Sequence, residues 1–169
     1  MIQKKVCMVG VFGTGKTSLV QRFVHSMFSE RYLSTVGVKI DRKPTQVDGA
    51  DLTLVLWDLA GRDGHEDITT SYLRGTHAVL YVADGTRRET CDQLPELRAL
   101  VREAAGEVPE VLALNKSDLT DRWALTAGDE QALARAFDLV KTSAKSGDGV
   151  EETFRRIGRA TLATKEARS

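Results

Sequence analysis

The chain has 169 residues, with 24 Lys+Arg balanced by 24 Asp+Glu and 41% apolar residues. A chain of that size buries a real core, and its zero net charge leaves no electrostatic footprint for nucleic acid or an anionic membrane face. It holds no run of about 18 apolar residues, no signal core behind Met1-Ile2-Gln3-Lys4-Lys5, and no metal-ligand spacing between Cys7 and Cys91.

Lys5–Val9 is the first predicted strand, and Cys7 within it reads as a small buried hydrophobe in a reducing cytosol. Gly10-Val11-Phe12-Gly13-Thr14-Gly15-Lys16-Thr17 follows, then a helix whose Leu19, Val20, Phe23 and Val24 share one side. Val38–Val47 is more polar and meets Leu52–Trp57 through Asp48-Gly49, a strong hairpin signal. That pair is expected to be antiparallel, with Val38–Val47 at the sheet edge. Ala78–Ala83, Val111–Leu114 and Leu139–Lys141 complete the strands, and most carry Val and Leu on both faces, as a covered parallel sheet requires. Pro95 suits the first turn of a helix with Leu97, Leu100, Val101 and Ala104 on one stripe. Thr126-x-x-Asp129 reads as a capping box before a helix holding Leu133 and Phe137. Asp148-x-x-Glu151 opens the last helix, whose buried stripe is Val150, Phe154 and Ile157. The alternation predicts one doubly wound α/β domain over residues 1–169, with about six strands and five helices.

The strand, glycine-rich loop and helix around Gly10–Thr17 stand in the order a phosphate cradle needs. Glycines let the backbone wrap an anion, and the helix start supplies N–H groups and a favourable dipole. Lys16 adds a positive charge, and the Thr17 hydroxyl can ligate Mg²⁺.

Four further motifs follow in order: Thr35 within Tyr32–Gly37, Trp57-Asp58-Leu59-Ala60-Gly61, Asn115-Lys116-Ser117-Asp118, and Thr142-Ser143-Ala144-Lys145. With these and Ser71-Tyr72-Leu73-Arg74-Gly75, the chain resembles the Ras superfamily of small GTP-binding proteins, most closely the Rab branch, over nearly its whole length. The resemblance implies a P-loop NTPase G domain: a six-stranded, mostly parallel sheet with one antiparallel edge strand and helices on both faces. It implies a switch that binds GTP or GDP with Mg²⁺ and hydrolyses GTP, meeting protein effectors and regulators through loops 28–37 and 61–75. Gly13, Thr14, Gly15, Lys16, Thr17 and Ser18 would hold the phosphates. Thr17, Thr35 and Asp58 would hold Mg²⁺, Asp58 through a water. The Gly61 N–H would touch the γ-phosphate, so losing that phosphate would release both loops. Asp118 offers two acceptors to the N1–H and exocyclic amine of guanine, a donor pair that adenine lacks. Asn115 would tie the base loop together, the Lys116 stem would lie along the base, and Ser143, Ala144 and Lys145 would complete its pocket. In that pocket the Ala144 N–H would donate to guanine O6. For Phe28, packing against the base and ordinary core packing both stand.

Two residues depart from the family pattern where hydrolysis is controlled. Arg62 replaces the usual glutamine, and arginine has no lone pair to orient the attacking water. It either supplies charge in cis or pairs with Asp63 or Glu66. Phe12 replaces a much smaller residue, and it either blocks a partner's arginine or packs on the loop's outer side. His65 could accept from water, though a surface histidine is the simpler reading. No role attaches to His25, His77 or Trp123. Lys16, Thr35, Gly61 and Arg62 are therefore the residues expected at the reaction, with slow unassisted hydrolysis. The alternative is a nucleotide-stabilised interaction module with negligible hydrolysis; a kinase would leave the Asn115–Asp118 loop without a purpose. Residue 2 is isoleucine and Lys165–Ser169 contains no cysteine, so no lipid anchor is predicted and the chain is expected to be soluble and cytoplasmic.

Overall fold

The strands are β1 (Ile2–Val9), β2 (Val38–Val47), β3 (Ala50–Leu59), β4 (Ala78–Asp84), β5 (Glu110–Asn115) and β6 (Leu139–Lys141). The helices are α1 (Lys16–His25), α2 (Arg88–Asp92), α3 (Leu94–Ala105), α4 (Ala127–Ala136) and α5 (Val150–Arg168). This computed structural model describes residues 2–30, 37–61 and 69–168, with side chains as far as residue 163. The expected roles of Thr35, Arg62 and His65 fall outside the described residues.

One sheet runs β2-β3-β1-β4-β5-β6, parallel throughout except for the β2–β3 pair. Asp48 (φ 49°) and Gly49 (φ 83°) are both left-handed, which is the backbone a two-residue hairpin needs to follow strand twist. Pro44 lies in β2, where its missing N–H costs no ladder bond on the outer side of an edge strand. In β4 every residue is buried, and alternate side chains serve two cores. Leu80 and Val82 join Leu19, Phe23 and Phe154 on the face covered by α1 and α5. Val79 and Tyr81 join Leu94, Leu97 and Val101 on the face covered by α3. Cys7 and Cys91 are free and buried.

The capping box forms as predicted: Asp129 N donates to Thr126 Oγ1 at 3.1 Å, and Thr126 N donates to Asp129 Oδ2 at 2.8 Å. Phe137 requires a correction. It lies one residue past α4 in extended backbone, because its ring is drawn into the α3-side core, edge-on to Tyr81 at 5.4 Å. The five-residue α2 has no sequence forecast. Among the described residues, no helix is long and apolar enough to cross a membrane.

β1 pairs with β3 on one side and β4 on the other, so connections leave it in opposite directions. Open α/β sheets bind ligands outside the carboxyl ends of strands at such a switch point. Those ends deliver the Gly10–Thr17 loop from β1, Asp58 from β3, Asp84 from β4 and Asn115 from β5.

Candidate functional site

The loop after β1 folds into a cradle whose last residue, Gly15, is the N-cap of α1 at φ 98°. A Cβ there would stand 2.3 Å from Asn115 Nδ2, so side-chain-bearing residues are excluded twice over. Among the described residues, no side chain caps this helix start, and no acidic residue lies in its first turn. Its N–H groups and dipole are therefore available to an anion. Lys16 is buried and its Nζ donates to Gly10 O at 3.3 Å and Val11 O at 3.4 Å. Burial lowers its pKa to about 8; Asp58 opposes that shift and Arg87 adds to it.

Three successive loop carbonyls are held from outside. Arg87 Nη2 donates to Phe12 O at 2.8 Å, Lys116 Nζ to Gly13 O at 3.1 Å, and Asn115 Nδ2 to Thr14 O at 3.0 Å. Both cations also grip Asp84, a fully buried carboxylate, at 3.1 Å from Arg87 and 2.9 Å from Lys116. Thr86 donates to the same carboxylate through its N–H at 2.8 Å and its hydroxyl at 2.6 Å. Burial is the largest single influence on Asp84 and raises its pKa. The hydrogen bonds from Thr86 and Lys116 together outweigh it and hold the group below the usual carboxylate range.

Thr17 Oγ1 donates to Asp58 Oδ2 at 2.6 Å, and Asp58 is 1% exposed. A hydroxyl and a carboxylate meeting beside an anion cradle are hard oxygen donors, and they suit a small divalent cation.

At the opposite end, hydroxyls clip the loops after β5 and β6 together. Thr142 Oγ1 donates to Asn115 Oδ1 at 3.0 Å and Ser143 Oγ to Asp118 Oδ1 at 2.8 Å. Lys116 holds a left-handed φ of 68°, uncommon for a residue with a side chain and fixed here by its bonds to Asp84 and Gly13. Lys145 Nζ lies 3.1 Å from Glu30 across the opening.

Between the two ends runs a cleft of about 400 Å³. Of the expected site residues, Gly13, Gly15, Lys16, Thr17, Ser18, Phe28, Asn115, Lys116, Asp118, Ala144 and Lys145 line it. Gly61 lies at its mouth with Phe12. Phe28 also packs on the α1-side core, as its core-packing reading expects. Thr14, Asp58 and Ser143 stand behind the wall, each buried. Phe12 is 44% exposed and is among the residues that line the cleft. Arg22, Asp84 and Arg87 were not foreseen; the only sequence signal was an acidic residue ending an all-apolar strand at Asp84. His77 Nδ1 accepts from Lys5 N at 2.8 Å, and Trp123 Nε1 donates to Glu130 at 3.2 Å, which makes both structural.

The sheet order and the glycine-rich loop define a P-loop nucleotide-binding α/β protein. The Ras family model matches residues 5–163. Ras-related protein Rab-1 of Theileria annulata is 34% identical over 160 residues, covering 92% of this chain and 73% of that protein. Ras-related protein Rab-1 of Theileria parva is 33% identical over the same shares. The chain belongs to the Ras family of small GTPases, with a Rab-like sequence.

Proposed function

We propose that this chain is a molecular switch that holds GTP or GDP with Mg²⁺ in the cleft and hydrolyses GTP slowly unless a partner assists. What supports this reading best is one cleft whose two ends suit the two ends of a guanine nucleotide. An uncapped helix start with buried Lys16 lies at one end, and the Asp118 carboxylate fixed by Ser143 at the other. Lys16 moves from the Gly10 and Val11 carbonyls to the phosphates, which restores the charge that burial disfavours. Asp118 accepts from guanine N1–H and the exocyclic amine, while the Ala144 N–H donates to O6. Phe28 and Lys145 enclose the base, with Ser143 holding Asp118 from behind. Thr17, Asp58 and Thr35 would hold Mg²⁺, which would neutralise phosphate charge. In hydrolysis a water oxygen bonds to the γ-phosphorus as the bond to the β-phosphate oxygen breaks, leaving GDP and inorganic phosphate. Gly61 lines the cleft, and Arg62 follows it in sequence. Loops 28–37 and 61–75 carry the output to effectors and regulators.

A nucleotide-stabilised module with negligible hydrolysis is the second reading. Phe12, 44% exposed and among the residues lining the cleft with Gly61, favours it, because a phenyl ring beside the γ-phosphate would compete with a partner's arginine. Nucleotide released from purified protein and identified by chromatography tests binding, and guanine nucleotide is the expected result. Calorimetry with Mg²⁺ should then find GTP held far more tightly than ATP; equal affinities would overturn the reading. Single-turnover assays separate the two hydrolysis readings. Arg62→Gln should raise the unassisted rate, and a native protein faster than that variant would make the arginine catalytic.

A further inference from the structure

We infer that Arg22 is a positioning residue for guanine specificity, holding the Ala144–Lys145 segment in register with the base end of the cleft. The inference rests on the guanine reading above. Arg22 lies in α1, six residues after Lys16, so it belongs to the helix whose first turn forms the phosphate end. Its guanidinium reaches a loop more than a hundred residues away, where Nε donates to Ala144 O at 2.7 Å and Nη2 donates to Lys145 O. One planar fork thus grips two consecutive carbonyls, a geometry a lysine ammonium does not reproduce.

The grip has a chemical consequence. With both carbonyls turned out toward Arg22, neither can rotate toward the cleft to accept from an adenine 6-amine. No described residue accepts from the Ala144 N–H, which leaves that donor for a base acceptor such as O6. Ser143 is anchored separately, by Gly147 N donating to its carbonyl at 2.8 Å and by its own hydroxyl on Asp118. Arg22 therefore governs the reader of O6, while Asp118 governs the reader of the 2-amine and N1–H. Because α1 also carries the phosphate end, Arg22 fixes the span between the phosphates and the O6 reader.

Two analogues separate these readers. 6-Thio-GDP keeps N1–H and the amine but replaces O6 with a weaker acceptor, whereas IDP keeps O6 and lacks the amine. Competition binding would be run on the native protein, Arg22→Met and Arg22→Lys, with thermal melting to follow folding. The native protein should prefer GDP over 6-thio-GDP by about tenfold, as expected for one well-placed hydrogen bond. In Arg22→Met that ratio should shrink to about threefold or less while the GDP-to-IDP ratio holds, with Arg22→Lys intermediate. Each ratio is measured on one protein, so a lower folded fraction cancels. The inference is overturned if the native protein does not separate GDP from 6-thio-GDP. It is also overturned if the variants keep the native ratio, or if all three nucleotides weaken equally. Native protein that fails to prefer GDP over ADP would instead remove the guanine reading itself.

Discussion

The two ends of the cleft are built by opposite means. The phosphate end is one contiguous stretch of backbone, bent through a left-handed Gly15 and kept open because neighbouring side chains hold its carbonyls outward. The base end is assembled from segments far apart in sequence, joined by hydroxyl–side-chain bonds and by Arg22. The first is fixed by sterics and fails abruptly when a Cβ is added. The second is fixed by hydrogen bonds worth about 1 kcal/mol each and loosens by degrees. Asn115 belongs to both, since its Nδ2 holds Thr14 O while its Oδ1 accepts from Thr142.

The largest expected effect tests that shared residue. Gly15→Ala places a methyl group 2.3 Å from Asn115 Nδ2 on a backbone at φ 98°. It should raise the Kd for GDP more than about 100-fold and lower stability by about 2–3 kcal/mol. Calorimetry and thermal melting check both, and a variant binding within tenfold of native would show that the ends are not joined through Asn115. Asp84→Asn comes next. It leaves Arg87 and Lys116, each about a third exposed, without the carboxylate that aims them at Phe12 O and Gly13 O. Solvent screening reduces the usual penalty for a broken buried pair, so about 2 kcal/mol of stability and about tenfold in GDP affinity are expected. Loss of stability with unchanged affinity would make Asp84 a fold residue only.

This contrast also explains what the sequence discloses. The phosphate loop is legible because its chemistry is local: eight adjacent residues between an apolar strand and an apolar helix. The Asp48-Gly49 hairpin and the Thr126–Asp129 box are legible for the same reason. Asp118 and Ala144 are found only as motifs, since nothing local says that Ser143 reaches Asp118 or that Arg22 reaches Ala144. An arginine on a helix reads as a solvated face until its distant partner is seen, and Arg87, just before α2, is equally silent in sequence though it reaches Phe12, 75 residues away. Asp84 carried the signal that singled out Asp58, a carboxylate at the end of an apolar run, but no motif named it. Phe137 shows the opposite failure, where helical spacing continued in sequence after core packing had ended the helix.

Lys16 gives the phosphate end a pH signature. Its pKa in the free site is lowered to about 8, chiefly by burial. A bound polyphosphate favours the charged form and raises that value, so binding takes up a proton once the free lysine has begun to lose its own. Affinity for GDP should therefore be level below about pH 8 and fall above it, by up to tenfold per pH unit. Lys16→Met should lose that fall while keeping any trend due to titration of the base. Calorimetry in buffers of different ionisation enthalpy would detect the proton directly. A native protein with no proton uptake above pH 8 would mean that Lys16 stays charged in the free site.

The smallest effect sharpens the division most. Arg87→Gln removes the cation from Phe12 O but leaves Lys116 and Asn115 on the next two carbonyls. With two of three holds intact, GDP affinity should fall only about three- to fivefold, the value of one partly exposed charged hydrogen bond. The loss should be equal for GDP, IDP and 6-thio-GDP, because the displaced carbonyl lies at the phosphate end and no base atom is involved. Arg22 and Arg87 then form a matched pair: each arginine holds loop carbonyls from outside the cleft, one changing which base is chosen and the other how firmly any diphosphate is held. An Arg87→Gln variant that altered the GDP-to-6-thio-GDP ratio would show the two ends to be one mechanical unit, with base choice passed through the phosphate loop.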